Sequence, residues 1–482
     1  MNIMDMKKNQ LQQLCKDNNI VFKKSDVKSV LIEKIQCDNK IQGNEITVSA
    51  SLLDGENTKY TILTSSYDIL KHHYDNILNL DKSTYKSSND EPTPIGCIED
   101  MIKKIPDELW KRKNLKILDP CCGNGNFELP IYYKLNQIYS SNEILENIIH
   151  FNDLNIDRLN NVKKIYGEKL NLTNKDFLKF DEKKLYDLIV ANPPYAKILA
   201  NGKRASKNHN LIKDFIDKSL SLLKPKGYLL FITPDNWMSY ADRNTLIEKI
   251  TKLQIIHLDI HSAKKYFKKI GSSFTWYIIQ NEPFYKNINI SGIWNKTEYT
   301  DSVISGSRKY IPMLYNSIVQ SILNKTVDND KIEKFKILTS SDLHHYTKKT
   351  FIKNEQDNIF KYKLIHTPTQ IVYASRPHKF QDGYKVFIST TNKYSIFIDN
   401  CGMTQSIAFI ICDNKEQAEK YKKILEHPLY IFINNICRWG NFNNIRILQS
   451  FPKPVIDINN ETELYKHFNI SPEEIKFINQ SL

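Results

Sequence analysis

Short β-rich runs alternate with helical stretches between residue 91 and about residue 282, and this alternation constrains the fold more than any other feature of the chain. Six runs indicate strands, and the clearest helices between them cover 157–166 and 211–223. The strand runs are 115–118, 148–152, 186–191, 227–233, 254–259 and 273–280. Such alternation is typical of a parallel, doubly wound α/β sheet. The last runs have no full helix between them, so we expect an antiparallel hairpin at one edge of the sheet.

The segments on either side of this alternation differ from it and from each other. Residues 7–36 have the apolar spacing of two short helices, and 41–90 is a polar connector rich in Asn, Ser, Asp and Thr. From about residue 285 the pattern is mixed, with several strands and a helix near 415–426, as in an α+β domain. We therefore predict four parts, with boundaries 1–40, 41–90, 91–284 and 285–482.

The composition excludes several classes of protein. Hydrophobic residues make up 41% of the 482 residues, enough for large cores, yet no apolar run is long enough to span a bilayer. The N-terminus lacks the basic-then-apolar pattern of a secretory signal. None of the eight cysteines belongs to a CxxC pair, so we expect reduced thiols and no structural metal site. These features predict a soluble, intracellular protein with no membrane partner.

The formal net charge of +14 favours a polyanionic partner such as nucleic acid. The chain is also rich in Lys, Asn and Ile and has only 14 glycines, a bias that AT-rich coding produces without selection for binding. Charge alone therefore leaves both explanations open.

A glycine-containing turn follows the first predicted strand, in the sequence from Asp119 to Phe127. Gly123 and Gly125 allow the backbone to approach a ligand closely and to adopt dihedrals that other residues avoid. The pattern also fits dinucleotide binding. Against that alternative, Glu128 stands where a third glycine is needed, and the acid before the glycines would repel a pyrophosphate. Asp119 is better suited to a cation, such as the amino group of a methionine moiety.

Acidic residues recur at the ends of the next two predicted strands. Asp153 follows the second strand, where a carboxylate can accept hydrogen bonds from both hydroxyls of a ribose. Asp176 and Phe177 follow a short third strand and could bind an adenine amino group beside an aromatic wall. A single acid in such a position is more often a helix cap or a solvated turn. Open α/β sheets, however, bind ligands at the carboxyl ends of successive strands, so we predict that these acids share one ligand.

The tetrapeptide Asn192-Pro193-Pro194-Tyr195 directly follows the strand predicted at 186–191. Two prolines fix a stiff turn, which would aim the Asn192 amide oxygen and the Pro193 carbonyl at one planar amino group. Two such acceptors make that nitrogen more nucleophilic towards a methyl sulfonium, and Tyr195 offers a face on which the target ring can stack. A turn that only closed a strand would need neither the Asn nor the aromatic residue. Catalysis would depend on positioning and oriented dipoles rather than on a general base.

Together these residues resemble the gamma class of DNA adenine methyltransferases from restriction–modification systems, in motif order as well as in residue type. The resemblance covers about 91–282 and implies a Rossmann-like class I methyltransferase sheet that binds S-adenosyl-L-methionine. Thr93, within Thr93-Pro94, would then contact the cofactor carboxylate. The implied cofactor-binding set is Thr93, Asp119, Cys121, Gly123, Gly125, Asp153, Asp176 and Phe177, with Asn192, Pro193, Pro194 and Tyr195 as the catalytic residues. Cys121-Cys122 replaces the more usual small residue and Cys of this class.

The same resemblance assigns roles to other segments. Residues 285–482 would be a target-recognition domain that binds DNA. Residues 1–40 are similar to a SAP-type DNA-binding module but lack its usual glycine, and a helical hairpin packed on the main body explains them equally well. A second aromatic residue that sandwiches the flipped base would come from 273–280, where Phe274, Trp276 and Tyr277 compete. Alternation along a strand places Phe274 and Trp276 on one face and Tyr277 on the other.

The substrate is inferred from the length of chain after the catalytic part. The same tetrapeptide serves enzymes that methylate RNA bases or protein glutamine, and both remain alternatives. Nearly two hundred further residues favour duplex DNA, because extrusion of a base needs a surface that binds the groove. Asn192 favours adenine N6 over cytosine N4. Residues 1–90 are too short and too rich in Lys and Asn for a nuclease core, so any cognate restriction endonuclease would be a separate partner.

Overall fold

The computed structural model describes most of the chain after residue 60. The described residues are 61–81, 83, 91–181, 185–195, 211–242, 244–267, 271, 273–391, 393–455 and 461–482, with 12, 15 and 16. By its contacts the chain divides into two units, 1–60 and 61–482. Gln12, Cys15 and Lys16 are helical; the rest of the predicted module 1–40 and most of the connector 41–90 lie outside the described residues.

Nine strands of the second unit form one mixed sheet. They are β1 (Ile117–Asp119), β2 (Ile149–Asn152), β3 (Leu172–Thr173), β4 (Tyr186–Ala191), β5 (Leu223–Pro234), β6 (Leu253–Ile260), β7 (Phe274–Pro283), β8 (Ile288–Trp294) and β9 (Thr297–Val303). Their order is β3-β2-β1-β4-β5-β7-β6-β8-β9. β1 to β5 pair in parallel, and β7 runs antiparallel to both β5 and β6. This arrangement confirms the predicted Rossmann-like α/β sheet of the methyltransferase class.

The antiparallel strands lie inside the sheet, so the prediction that they form its edge is wrong. β8 pairs in parallel with β6, and β9 pairs antiparallel with β8, which extends the sheet past the expected edge. Both strands follow residue 284, where we predicted that a second domain begins. The division at 284 stays a prediction, but the chain on its two sides shares one sheet.

Helices connect the strands and cover the sheet. Those described are α1 (Tyr67–His73), α2 (Ile95–Ile102), α3 (Asp107–Trp110), α4 (Glu128–Leu135), α5 (Ser141–Glu143), α6 (Ile156–Tyr166), α7 (Leu211–Leu222), α8 (Thr245–Lys252), α9 (Ser317–Lys325), α10 (Lys415–Leu425), α11 (Pro428–Ile436), α12 (Ile445–Gln449), α13 (Glu461–His467) and α14 (Pro472–Ser481). The three helices predicted from periodicity correspond to α6, α7 and α10, within a residue at each end. Among the described residues, no helix has the length and apolar character needed to cross a bilayer.

Local sequence explains the elements that position the site. Every residue of β4 is buried, because both faces of a parallel sheet are covered, and its sequence is accordingly apolar almost throughout. α6 begins where the Asn155 side chain accepts a hydrogen bond from the backbone N–H of Asp157. It ends at Gly167, whose φ of 100° is unfavourable for other residues. These local signals define the extent of α6, and its last residue, Tyr166, donates a hydrogen bond to the Gly125 carbonyl of the glycine loop.

The chain after β9 builds two four-stranded sheets and further helices, in agreement with the predicted α+β character. The strands are β10 (Leu338–Thr339), β11 (Ile352–Lys353), β12 (Tyr362–Thr367), β13 (Gln370–Ala374), β14 (Lys385–Ser389), β15 (Ile396–Asp399), β16 (Gly402–Met403) and β17 (Ile407–Ile411). Their orders are β10-β17-β14-β15 and β11-β13-β12-β16. One apolar cluster extends from Leu118 in β1 to Ile478 in α14. The nine-stranded sheet and the C-terminal part therefore share a hydrophobic core.

Candidate active site

A pocket opens beside the carboxyl ends of β1 and β4. Its lining residues are Glu91, Pro92, Thr93, Asp119, Cys121, Cys122, Gly123, Asn124, Asn126, Phe127, Arg158 and Asn192. Five of them are site residues predicted from the sequence: Thr93, Asp119, Cys121, Gly123 and Asn192. The structure thus brings together parts of three motifs that are up to about a hundred positions apart in the sequence.

Backbone hydrogen bonds to neighbouring carboxylates hold the loop after β1 in place. The N–H of Cys121 donates to Asp119 Oδ1 at 2.9 Å, and the N–H of Gly123 donates to Asp153 Oδ2 at 2.9 Å. The second oxygen of Asp153 accepts from the N–H of Asn155 at 2.7 Å. Asp153 therefore braces the loop from the end of β2 and lies next to the pocket without being among its lining residues.

Gly125 is required where the loop packs most closely. Its φ is 87°, and a Cβ at this position would lie 2.7 Å from Cε2 of Tyr166. The Tyr166 hydroxyl in turn donates to the Gly125 carbonyl at 2.7 Å. Any other residue here would combine an unfavourable backbone conformation with a steric clash.

Three buried carboxyl groups surround the loop. Burial raises the pKa of Asp119 well above its ordinary value, and nearby Asp153 raises it further. Burial likewise raises the pKa of Glu128, and Asp119 adds to this effect. Neither carboxyl oxygen of Glu128 meets a donor from another described residue. A cationic ligand would relieve this concentration of negative charge. Within the described ranges, no group of three or more His, Cys, Asp or Glu side chains could hold a metal ion.

The amide of Asn192 is fixed from both of its ends. Its Nδ2 donates to the Glu91 carbonyl at 2.9 Å and to Thr93 Oγ1 at 3.1 Å. Its Oδ1 accepts a hydrogen bond from the Tyr195 hydroxyl. Because a side-chain amide has a donor end and an acceptor end, these partners determine which end faces the site.

The segment around Thr93 connects the tetrapeptide to the glycine loop. Asn126 Nδ2 donates to the Thr93 carbonyl at 2.9 Å, while the Thr93 hydroxyl oxygen accepts the hydrogen bond from Asn192 Nδ2. Sequence reasoning did not select Asn126, although its position inside the loop motif was a usable signal. Arg158 also lines the pocket, and its place in the first turn of α6 gave no such signal.

Pro193 is buried and Pro194 is exposed, in the turn between β4 and Tyr195. Of the three competing aromatic residues, Phe274 lies beside Tyr195, with ring centroids 6.1 Å apart. Trp276 instead stacks on His257 at 4.7 Å. Tyr277 lies in the main apolar cluster.

Asp176 and Phe177 lie apart from the pocket lining. Asp176 caps a short 3₁₀ turn by accepting from the N–H of Leu178 at 3.2 Å. Phe177 is buried against Phe180 and Phe215, with ring centroids 5.4 and 5.3 Å away. These contacts are structural, so the predicted contact of this pair with the cofactor adenine stays a prediction.

Comparison with known proteins identifies relatives of this chain. The Eco57I restriction-modification methylase family matches residues 18–267. The type II methyltransferase M.HincII of Haemophilus influenzae is 26% identical over 242 residues, which cover 45% of this chain and 43% of that protein. An uncharacterized adenine-specific methylase of Mycoplasma pneumoniae is 26% identical over 177 residues, covering 36% and 40%. The matched segments span less than half the length of these curated relatives.

Among solved structures, the ATP-dependent Type ISP restriction-modification enzyme LlaBIII bound to DNA is similar in structure. The match covers 98% of this chain and 45% of the LlaBIII chain. The TM-score is 0.48 and the sequence identity is 12%.

Proposed function

The chain belongs to the Eco57I restriction-modification methylase family, and on this premise we propose that it transfers a methyl group to the N6 amino group of an adenine extruded from duplex DNA. S-adenosyl-L-methionine is the cofactor, as predicted, and supplies the electrophilic methyl group when bound. The name of the Mycoplasma pneumoniae relative, an adenine-specific methylase, supports adenine as the target. Catalytic use of Asn192, Pro193, Pro194 and Tyr195 is part of the proposal.

The observation that carries the proposal is the fixed orientation of the Asn192 amide beside a pocket that the buried Asp119 also lines. Its nitrogen is held by Glu91 and Thr93, so its oxygen is the end available as an acceptor. An amide oxygen has two lone pairs, and the Tyr195 hydroxyl uses one of them. The other can accept a hydrogen bond from a target amino group, together with the Pro193 carbonyl.

The pocket residues fit a cationic, methionine-containing cofactor. Asp119 is buried at the end of β1, lines the pocket and would bind the ammonium group. Asp153 Oδ2 already accepts a hydrogen bond from the Gly123 N–H. The Asp153 carboxylate would also accept hydrogen bonds from the ribose hydroxyls. Tyr195, with Phe274 as its neighbouring ring, would stack on the target base. Oriented acceptors that polarise the amino nitrogen supply the catalytic effect.

The remaining segments have proposed roles in recognition. Residues 285–482 would form the target-recognition domain that binds duplex DNA, and a separate restriction endonuclease would act at the same sites. Residues 1–40 would add a SAP-like DNA contact. The formal charge of +14 supports a nucleic acid as the substrate.

The test is to express the full chain with a plasmid library and to locate modified bases by long-read sequencing. We expect N6-methyladenine in one sequence context, and a decrease of roughly 10²–10³-fold in turnover for Asn192→Ala, as for the loss of an oriented dipole. Exposed Asn142→Ala, in α5, is the matched control and should retain wild-type activity. Methylated RNA or glutamine with unmodified DNA would refute the proposal, as would normal turnover by Asn192→Ala.

A further inference from the structure

Residues 437–446, here called the bridging segment, connect the carboxyl edge of the main sheet with the C-terminal sheet β10-β17-β14-β15. On the first side, the Trp439 ring lies edge-on to His261, which directly follows β6, with centroids 5.2 Å apart. Asn444 Nδ2 donates to Ser239 Oγ at 3.0 Å in the loop after β5. The bridging segment is therefore attached to the loops that follow two central strands.

Its other side is anchored to the C-terminal sheet. Asn443 is buried, and its Nδ2 donates to the Ser389 carbonyl of β14 at 2.8 Å. The N–H of Asn443 donates to the Thr390 carbonyl at 2.9 Å. The backbone of Phe442 forms an antiparallel bridge with Thr391. The backbone around Phe442 is thus braced on both sides.

The bridging segment stands at the same edge of the sheet as the catalytic tetrapeptide. Phe274, the neighbour of Tyr195, opens β7. The next residue of β7, Thr275, pairs with Ile260 at the end of β6. His261 follows and contacts Trp439. A continuous series of neighbouring residues therefore leads from the base-stacking pair to the bridging segment.

Within the turn formed by residues 438–442, the side chains of Phe442 and Arg438 have few contacts with the protein. Phe442 is 64% exposed, although an aromatic side chain gains stability from burial. Arg438 donates to the Asn441 carbonyl at 3.2 Å, while its buried Nε has no hydrogen-bond partner. No carboxylate of the described residues is paired with this guanidinium. Gly440, with a φ of 83°, forms the turn between them.

We propose that this turn holds duplex DNA at the target position, with Phe442 filling the space left by the extruded base and Arg438 binding an adjacent phosphate. The inference rests on the proposed function and adds the residues that open the duplex. Proteins that unstack DNA insert apolar side chains at the opened step, and guanidinium groups are well suited to phosphate. A side chain inserted between bases must also resist their restacking. The backbone at Phe442 can do so because it is anchored to both sheets.

The experiment compares two DNA duplexes that carry the recognition site. In one the target adenine is paired with thymine, and in the other it lies opposite an abasic site, which removes most of the cost of extrusion. The full-length Phe442→Ala variant should lose about 10-fold or more in kcat/KM on the paired duplex, as for the loss of one base-stacking contact. On the abasic duplex it should recover to within about 2-fold of wild type. Phe442→Trp should retain activity on both.

Phe284→Ala is the matched control, since Phe284 is also exposed but follows the opposite end of β7; it should match wild type on both duplexes. Arg438→Ala should weaken binding to both duplexes equally and reduce the salt dependence of affinity by about one phosphate contact. Equal losses by Phe442→Ala on the two duplexes, or no loss on either, would refute the insertion of Phe442. A wild-type enzyme active on neither duplex would refute the proposed function and this inference with it.

Discussion

At the scale of single residues, two different roles can be distinguished for Thr93. The resemblance to gamma-class enzymes implies a contact with the cofactor carboxylate, whereas the structure shows its hydroxyl accepting a hydrogen bond from Asn192 Nδ2 at 3.1 Å. A residue that only orients Asn192 would affect turnover, while a cofactor contact would affect affinity. Both roles are compatible with its burial at the edge of the pocket.

Thr93→Val keeps the shape of the side chain and removes the acceptor. If Thr93 positions Asn192, kcat should fall by about 2- to 10-fold, the effect of losing one neutral hydrogen bond, with the cofactor Kd unchanged. Thr93→Ser should restore kcat. A raised Kd in calorimetric titration, with kcat unaffected, would instead support the cofactor contact.

Burial of the Glu128 side chain changes the protonation of its carboxyl group. Burial and Asp119 raise the pKa of its carboxyl group, so the folded protein binds this proton more tightly than the unfolded chain does. The contribution of this protonated group to the stability of the fold is complete at low pH, below the ordinary Glu pKa of about 4.3. It is lost as the pH rises towards the pKa of Glu128 in the folded protein.

Glu128→Gln should therefore increase stability at neutral and higher pH. The difference in Tm from wild type should be small near pH 4 and should grow up to pH 8. Exposed Glu473→Gln is the control and should show no such trend. A Tm difference that does not depend on pH would mean that Glu128 is not protonated in the folded protein.

At the scale of elements, the glycine loop between β1 and α4 is held by neighbouring elements as well as by hydrogen bonds of its own. Asp153 at the end of β2 accepts from the Gly123 N–H, and Tyr166 at the end of α6 packs on Gly125. The conformation of the loop thus depends on two elements that follow it in the chain.

Gly125→Ala tests this dependence. The added Cβ would meet the Tyr166 ring and also a backbone with positive φ, so we expect a loss of about 1–3 kcal/mol in the free energy of unfolding and weaker cofactor binding. Gly383→Ala is a close control, because its φ is 84° but no atom lies within 4 Å of the new Cβ. Similar losses for both variants would show that backbone strain alone matters.

At the scale of the whole molecule, the excess of positive charge can be tested for function. If its lysines and arginines contact phosphates, the affinity for duplex DNA should fall steeply with salt, since bound counterions are released on association. Fluorescence anisotropy at several salt concentrations measures this slope. A slope near zero would show that the charge reflects composition only and would favour a protein substrate.

Local sequence was sufficient to predict the strand–helix alternation and the position of the glycine loop, but not the distant contacts that hold the loop. Each depends on residues within a few positions of one another: apolar runs define β4, and an Asn cap and a glycine define the ends of α6. The same locality explains the error at the sheet edge. β8 and β9 pair with strands of the main sheet, and no single stretch of sequence shows this pairing. The antiparallel strands β6 and β7 were therefore expected at an edge of the sheet.

The sequence by itself determined the chemistry available at the site: a loop with glycines at 123 and 125, carboxyl groups at strand ends, and an Asn-Pro-Pro-Tyr turn. Only the tertiary structure decided how these groups are oriented and which others join them. Glu91 and Thr93 lie 101 and 99 positions from Asn192, and it is the Phe274 ring, rather than that of Trp276 or Tyr277, that lies beside Tyr195. Such contacts are set by how the strands order and pair across the sheet, and a periodic pattern along one strand does not specify which other strand it pairs with.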